Sequence, residues 1–311
     1  MFYSPIKPME PKSRPRPFDS DRHIFQVKWD GVRILSFING REVRLQNRKL
    51  RDRTLQYPEM QSLSQQISGR EVILDGEMIA LKDGKPSFSR ILRRDLAARG
   101  TKERVQEIPV VYMVFDLLYA DDRDLTKLPW EERDGMLKKL LTPGGNVQIT
   151  ESISGRGIDF YRAVVEEGLE GVVAKERSSP YLIGGKTSLW EKIKPRKDMN
   201  CVVGGYIWEG GKIKSLLIGA YQEGNLRFLG RAGSGLGEKD LEELTKVLPG
   251  LRQEESPFLP PPKRPKNWYW VRPLLTLKVE YMEFTSEGQL RHPTVKGFLI
   301  MDPADCVLVG E

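Results

Sequence analysis

The chain has 311 residues, of which 39% are hydrophobic and 30% charged, a composition that suits a globular protein with a buried core. Its net charge of +7 favours a polyanionic partner, although many basic proteins never contact nucleic acid. Two cysteines and two histidines exclude a disulfide framework and argue against a structural zinc site or a histidine-centred triad. No run of about 18 apolar residues occurs, and the start lacks the apolar core of a signal peptide, so we expect a soluble cytoplasmic protein.

The first two thirds of the chain mix strand-like and helix-like patterns. The prolines before residue 18 predict an extended, non-helical first segment. Apolar runs predict strands, with an Asp-Gly turn inside each of the first two, at 24–38, 71–81, 108–119, 170–175 and 189–194. Helical periodicity is found at 130–141 and 157–167.

The sequence pattern changes after residue 197, where predicted short strands alternate with glycine-rich turns. One amphipathic helix is predicted at 237–248, and two more strand regions follow a proline-rich loop, one at 274–285 and one after RHPTVKG. About five strands and one helix in such a short segment suit a small barrel of the OB type. We therefore predict an α+β chain with two domains: residues 1–197, built of antiparallel sheets with helices, and residues 198–311, an OB-fold β-barrel.

The sharpest local motif is Lys28-Trp29-Asp30-Gly31-Val32-Arg33. A lysine bonds to phosphorus only as the free amine, so neighbouring cations or desolvation must lower its pKa. Val27 and Trp29 supply apolar neighbours, Arg33 adds positive charge, and Asp30-Gly31 fits a tight turn. The alternative is a solvated lysine on a strand edge, which describes most of the 50 basic residues of this chain.

Further motifs follow in a fixed order. They are Gln46-Asn47-Arg48, Leu74-Asp75-Gly76-Glu77, Val114-Phe115-Asp116-Leu117-Leu118, Glu170-Gly171-Val172-Val173-Ala174-Lys175 and Trp190-Glu191-Lys192-Ile193-Lys194. With KxDGxR they resemble the covalent nucleotidyltransferase superfamily of ATP-dependent DNA ligases, RNA ligases and mRNA-capping enzymes. The segments around 170–195 and 270–298 look most like the ligase module of bacterial end-joining (LigD-type) DNA ligases. The likeness covers essentially the whole chain and implies a free-standing ligase.

The resemblance implies an adenylation domain followed by the OB barrel, with Lys28 as the nucleophile that takes AMP from ATP. It implies nucleotide contacts from Gln26, Arg33, Arg48, Glu77, Phe115, Lys192 and Lys194. It implies that Mg²⁺ or Mn²⁺ is held by Asp30, Glu77 and Glu170, since carboxylate oxygens suit such ions. Each has a plainer interpretation: Phe115 as core packing, Glu170 as a turn residue, and the two lysines as a solvated strand face.

Nicked double-stranded DNA is the expected partner, and the chain is then expected at the nucleoid. The stretch 41–53 carries six basic residues against two acidic ones, so it is predicted to meet DNA phosphates, although a charge run is usually a solvated face. The predicted DNA contacts are Arg44, Arg48, Lys49, Arg51, Arg291 and Lys296. The resemblance makes a Ku-type end-binding protein a possible partner. Action at one nick requires only a monomer. Trp268-Tyr269-Trp270 is interpreted as barrel packing.

Two departures from the family pattern stand out. Ligases of this type follow Lys-Gly and a hydrophobic residue with Arg-x-Asp-Lys, whereas this chain has Leu299-Ile300-Met301-Asp302 after Phe298. The missing basic residues put self-adenylation in question. Gln26 stands where a glutamate is common, and an amide can still bond an adenine edge.

The resemblance implies three steps in one pocket: adenylation of Lys28, transfer of AMP to a 5′-phosphate, and sealing by a 3′-hydroxyl with release of AMP. One alternative is an RNA ligase or a GTP-using capping enzyme, against which the C-terminal likeness speaks. Another is a non-catalytic DNA-end-binding protein that uses the basic surface and the barrel. The joint presence of Lys28, Glu77, Glu170, Lys192 and Lys194 favours the enzyme.

Overall fold

The structure is a computed structural model that describes residues 4–263, 265–282, 284–285 and 287–308. The chain divides into two compact units, Met1–Lys194 and Pro195–Glu311. Among the described residues, no helix is both long enough and apolar enough to cross a membrane.

The described residues of the first unit, which begin at residue 4, form two sheets and four α-helices. Its strands are β1 (Glu10–Ser13), β2 (Ser20–Val27), β3 (Val32–Asn39), β4 (Glu42–Asn47), β5 (Glu71–Lys82), β6 (Lys85–Pro86), β7 (Val110–Ala120), β8 (Arg123–Asp124), β9 (Val147–Ile149), β10 (Ser152–Gly155), β11 (Val172–Glu176) and β12 (Lys186–Ile193). Its helices are α1 (Phe88–Asp95), α2 (Lys102–Glu107), α3 (Trp130–Leu140) and α4 (Gly157–Glu166), and short 3₁₀ turns cover Thr54–Gln56 and Pro58–Gln65.

The larger sheet has the order β4-β3-β5-β7-β8, with β6 beside β5 and β9 beside β7. The smaller sheet has the order β1-β12-β11-β2-β10. Pairing is antiparallel except between β1 and β12 and between β7 and β9. The fold class α+β is therefore confirmed for this unit.

The larger sheet is buried on both faces. Ile34 and Leu74 point into one apolar cluster, whereas Leu35 and Ile73, one residue away on the same strands, point into another. The second cluster includes Ile24 from the smaller sheet. Successive side chains of a strand alternate between faces, so two buried faces need continuous apolar runs. This explains why 108–119 is apolar except at Asp116, which is paired with Arg133.

Several predicted elements are confirmed with small shifts of their bounds, among them β3, β7, α3 and α4. The second strand–turn–strand prediction is wrong, because 71–81 forms the single strand β5. Asp75 and Gly76 do not turn the chain there; the pairing of β5 with β7 only shifts register at this point. The helices α1 and α2 were not predicted.

In the second unit, the part of the chain that the structure describes forms a six-stranded sheet and one α-helix. Its elements are β13 (Lys197–Glu209), β14 (Lys212–Gln222), β15 (Asn225–Ala232), α5 (Glu238–Val247), β16 (Arg252–Gln253), β17 (Trp268–Tyr281) and β18 (Thr294–Leu299). The sheet order is β15-β14-β13-β17-β16, with β18 beside β17. The strand predicted at 274–285 ends at Tyr281, and Glu283 lies outside the described residues. Trp268 and Trp270 are buried, which confirms their interpretation as packing residues.

Candidate active site

A cavity of about 510 Å³ opens in the first unit. Elements that are distant in sequence converge on it: the end of β2, the turn before β3, the loop after β4, and residues of β5, β7, β11, β12 and α1. Most residues of the predicted site line it, namely Gln26, Lys28, Asp30, Arg33, Arg48, Lys49, Arg51, Glu77, Phe115, Glu170 and Lys192.

Lys28 follows directly after β2 and is anchored by its backbone, whose N–H donates to Gly171 O at 2.8 Å. Its side-chain Nζ donates to Glu170 Oε2. The other oxygen of that carboxylate, Oε1, lies 2.7 Å from Lys194 Nζ. Glu170 thus brings two of the predicted lysines together, one on each oxygen.

Burial favours the protonated form of two carboxyl groups of the site, those of Glu77 and Asp30. Burial raises the pKa of Glu77 to about 7; Glu170 and Asp75 act in the same direction, whereas Arg33 and Lys28 oppose it. Burial also raises the pKa of Asp30, helped by Glu170 and opposed by Lys28. A cation that binds beside such carboxyl groups stabilises their charged form, so its binding there is favourable.

The donor set suits a hard divalent ion only in part. In the described part of the chain, no three Asp, Glu, His or Cys side chains are grouped to hold a metal ion. Magnesium is often bound through one or two carboxylates together with substrate phosphates and water. Carboxylates that line the cavity, among them Asp30, Glu77 and Glu170, could supply one or two such ligands beside phosphate oxygens.

Arg33 forms a two-pronged ion pair with Asp75, from Nε at 2.5 Å and Nη2 at 2.6 Å. The Tyr181 hydroxyl also donates to Asp75, at 2.6 Å, and accepts from the backbone N–H of Met9 at 3.0 Å. The guanidinium carbon of Arg33 lies 4.6 Å from the centre of the Phe115 ring. The charge of Arg33 is therefore balanced within the wall of the cavity. The sequence reasoning missed both Asp75 and Tyr181 as its partners.

Gln26 is buried, and its side-chain Nε2 donates to the backbone oxygen of Thr150 at 3.2 Å. Trp29 Nε1 donates to Thr150 Oγ1 at 3.1 Å, which ties the motif residue next to Lys28 to the same threonine. A backbone carbonyl can only accept hydrogen bonds, so the nitrogen of the Gln26 amide must face Thr150. One N–H of the Gln26 amide is used in this way, so Oε1 and the second N–H remain for a ligand in the cavity.

The loop after β4 presents basic side chains at the rim of the cavity. Asn47 Oδ1 accepts from the backbone N–H groups of Lys49 at 3.0 Å and Arg51 at 3.1 Å, which holds the loop in shape. Arg48, Lys49 and Arg51 are exposed there. Arg44 lies earlier, on β4, with its guanidinium 3.9 Å from the Phe37 ring centre.

Two predicted DNA contacts belong to the second unit and do not line this cavity. Lys296 is exposed, and its Nζ lies 3.5 Å from Glu280, which also pairs with Arg196 at 2.8 Å. Arg291 is exposed, and its backbone oxygen accepts from Met282 N at 3.1 Å.

Two glycines of the motifs stand where backbones meet closely. A Cβ on Gly31 would lie 2.3 Å from the carbonyl oxygen of Met78 on β5. A Cβ on Gly171 would lie 2.2 Å from Ile193 O, and Gly171 also has φ of +135°, a backbone conformation that side chains disfavour. These glycines bring the Lys28 turn and the Glu170 turn against their neighbouring strands.

Comparison with known proteins assigns the fold to a family. The family model described as ATP dependent DNA ligase domain matches residues 10–194, and the model described as ATP dependent DNA ligase C terminal region matches residues 209–298. The chain therefore belongs to the ATP-dependent DNA ligase family. The second match ends at Phe298, where the altered C-terminal block begins.

Named relatives agree with this assignment. The multifunctional non-homologous end joining DNA repair protein LigD of Mycobacterium tuberculosis (strain H37Rv) is 36% identical over 280 residues, which is 88% of this chain and 35% of that protein. A DNA ligase of Thermococcus fumicolans is 30% identical over 274 residues, 83% of this chain and 47% of the relative. The chain thus spans about a third to a half of the length of these relatives.

Solved structures match nearly the entire chain. The ligase domain of M. tuberculosis LigD is 31% identical, with 98% of each chain covered and a TM-score of 0.58. A mycobacterial DNA ligase D complexed with ATP and MES is 33% identical, covers 97% of this chain and 98% of that one, and has a TM-score of 0.56. These matches support the prediction of a nucleotidyltransferase fold followed by an OB fold.

Proposed function

We propose that the chain is an ATP-dependent DNA ligase that seals nicks through AMP bound covalently to Lys28. The observation that carries the proposal is the placement of Lys28 Nζ on the carboxylate of Glu170, in a cavity that also holds Phe115, Glu77 and Lys192. An amine, a carboxylate and several cations beside an aromatic ring suit phosphoryl-type transfer from a nucleotide.

In the first step the Lys28 amine attacks the α-phosphorus of ATP. A nitrogen–phosphorus bond forms and the bond to pyrophosphate breaks. The ammonium of Lys28 loses two of its three protons, one to a neighbouring carboxylate and one to water, and the third remains on the phosphoramidate nitrogen. Glu170 contacts Nζ and is placed to receive a proton from it. Lys192 and Lys194 offset the negative charge of the phosphate.

In the second step the AMP passes from Lys28 to the 5′-phosphate at a nick. In the third step the 3′-hydroxyl attacks that phosphate, AMP leaves, and the strand is sealed. The same cations of the cavity serve each transfer, because every transition state gathers charge on phosphate oxygens. When bound, Mg²⁺ or Mn²⁺ would neutralise phosphate charge, held by Asp30, Glu77 and Glu170 with phosphate oxygens.

The cavity also offers recognition of the nucleoside. Phe115 provides an aromatic face for the base, and Glu77 provides acceptors for the ribose hydroxyls. Gln26 presents Oε1 as an acceptor, which suits the 6-amino group of adenine. This feature favours ATP over GTP and speaks against the capping-enzyme alternative.

The exposed basic loop of Arg48, Lys49 and Arg51 is proposed to hold the phosphates of a nicked duplex at the rim of the cavity. Relatives named as end-joining DNA repair proteins support a repair setting for this chain. A Ku-type protein is the partner that such a setting suggests, with the chain acting as a monomer in the cytoplasm, at the nucleoid.

The test is incubation with α-labelled ATP and Mg²⁺, followed by addition of nicked DNA or nicked RNA. We expect label on the denatured wild type and on Lys139→Ala, which changes an exposed lysine of α3, and no label on Lys28→Ala. The label should leave as nicked DNA is sealed, and labelling with GTP should be far weaker.

If the wild type takes no label, it is next given pre-adenylated nicked DNA. This control is needed because the altered block after Phe298 is expected to impair the first step alone. If that DNA also stays unsealed while the protein still binds DNA ends, the ligase proposal fails and a non-catalytic end-binding protein takes its place.

A further inference from the structure

Phe115 stands at a β-bulge of β7. In the pairing of β5 with β7, Gly76 lies opposite Val114 and Asp75 lies opposite Asp116, so Phe115 has no partner residue on β5. A bulge of this kind leaves one residue outside the ladder and re-aims its side chain. Here it accompanies the placement of the Phe115 ring in the wall of the cavity.

The backbone of the bulge is bonded by a side chain from the other sheet. Lys175, on β11, donates from Nζ to the carbonyl oxygen of Phe115 at 3.0 Å. A buried carbonyl without a partner is costly, so a residue outside the ladder needs such a donor. Lys175 is 60 positions away in sequence and satisfies it.

Lys175 is itself buried, with 2% of its surface exposed. Its Nζ lies 4.2 Å from the ring centre of Trp190, 4.5 Å from that of Phe115 and 5.8 Å from that of Trp130. Trp190 is also its register partner on β12. An amine that touches both the backbone and the ring of Phe115 is suited to hold that residue.

Burial of an amine has a cost that simple packing would avoid. Desolvation lowers the pKa of Lys175 to about 7; Asp116 and Asp75 raise it, and Arg33 and Arg133 lower it further. An apolar side chain would fill the same space with no such cost, but it would leave the Phe115 carbonyl without a donor. The lysine is therefore explained by the bond that it makes.

We propose that Lys175 is a positioning residue for the nucleotide base, because it holds the bulge of β7 in the form that turns the Phe115 ring to the cavity. The inference rests on the proposed function, since it requires that the base stacks on Phe115. Lys175 acts through Phe115 and takes no part in the bond-making steps.

The test compares Lys175→Met, Phe115→Ala and the double variant in self-adenylation. Methionine keeps the length and the apolar stem of the lysine but removes the donor. Loss of stacking on an aromatic ring corresponds to about a tenfold weaker base contact, so each single variant should raise KM for ATP about tenfold with little change in kcat. Because both changes remove the same contact, the double variant should also show about a tenfold increase.

Lys186→Met serves as the control, since it changes an exposed lysine of β12 in the same way and should leave KM unchanged. Lys175→Gln, which keeps an N–H donor on a shorter stem, should recover part of the loss. It also replaces Lys175→Met in the comparison if the methionine variant does not fold.

Two results would overturn the inference. One is an unchanged KM in Lys175→Met, and the other is a roughly hundredfold increase in the double variant, which would mean independent effects. Wild-type protein that takes no label from ATP and also leaves pre-adenylated nicked DNA unsealed would instead overturn the proposed function, and the inference with it. The reactions of the wild-type protein thus distinguish the two failures.

Discussion

Arg33 and Asp75 are joined by two hydrogen bonds of 2.5 and 2.6 Å, and they come from different motifs on the neighbouring strands β3 and β5. The carboxylate is fully buried, and only 16% of the arginine side chain is exposed. The pair therefore connects the motif that contains Lys28 with the motif that contains Glu77. Arg33 lines the cavity, and its buried partner Asp75 holds it there.

Replacement of Asp75 by asparagine should destabilise the protein strongly. It leaves the buried guanidinium of Arg33 without its counter-charge, a change that costs about 3–5 kcal/mol in other buried pairs. The free energy of unfolding, from urea titration, measures the effect. Glu131→Gln breaks the exposed Arg177–Glu131 pair and should cost less than about 1 kcal/mol. Equal losses in the two variants would contradict the importance given to the buried pair.

Replacement of Glu170 by glutamine should impair the first chemical step with little loss of stability. The amide keeps the size of the side chain but removes the charge that contacts Lys28 and Lys194. Loss of a positioned proton acceptor lowers rates by about 10²- to 10⁴-fold, so labelling of Lys28 should slow by at least about 100-fold. Glu167→Gln, at an exposed carboxylate nearby, should label at the wild-type rate. Normal labelling of Glu170→Gln would remove Glu170 from the mechanism.

The pKa of Lys175, lowered from 10.5 to about 7, makes stability depend on pH in a defined direction. Between pH 7 and 10.5 the unfolded chain holds the proton that the folded protein has lost, so the free energy of unfolding rises with pH. Below pH 7 both states hold the proton, and this gain is absent. Relative to Lys175→Met, wild type should gain about 2 kcal/mol between pH 7 and pH 9, at up to about 1.4 kcal/mol per pH unit. Parallel pH profiles in urea unfolding would count against the lowered pKa.

Arg51→Ala should weaken binding to nicked duplex DNA and make it less dependent on salt. Each phosphate contact that is lost lowers the slope of log K against log salt by about 1. Fluorescence anisotropy at several salt concentrations gives both quantities. Lys139→Ala, which removes one exposed charge from α3, should leave the slope as it is. If the slope of log K against log salt is the same in both variants, the DNA does not contact Arg51.

Gln26→Met should reduce the preference for ATP over GTP by about tenfold. It keeps the volume of the side chain but removes the oxygen acceptor, and a lost hydrogen bond in a buried site corresponds to about 1–2 kcal/mol. The ratio of kcat/KM for the two nucleotides in labelling is the quantity to compare. Gln222→Met, at the exposed end of β14, should keep the wild-type ratio. An unaltered ratio in Gln26→Met would show that the base is selected by other atoms.

The sequence allowed the prediction of the elements and residues whose signals are local. Lys28 and Phe115 were recognised through motifs that resemble those of the ligase family, and both line the cavity. Amphipathic periodicity located α3 and α4 within one or two residues, because a face of a helix repeats over a short window.

The remaining features depend on pairing that a local pattern does not contain. Asp75-Gly76 has the composition of a turn, but β5 is paired with β3 on one side and β7 on the other, and this pairing keeps the chain extended. Tyr181 reaches Asp75 across 106 positions of sequence. Lys175 gains its partner only because β7 is bulged at Phe115. No propensity scale reports such contacts.

Gly31 also fixes the position of the Lys28 motif relative to β5. Since its Cα lies against the backbone of β5, the segment that carries the nucleophile and the strand that carries Glu77 cannot be separated or slid without leaving a gap or a clash. The distance between the group that attacks phosphorus and the group that meets the ribose is thus set by backbone against backbone. A single methyl group added at position 31 would push the Lys28 segment away from β5. Lys28 and Glu77 would remain chemically intact but would no longer be placed to contact the same nucleotide.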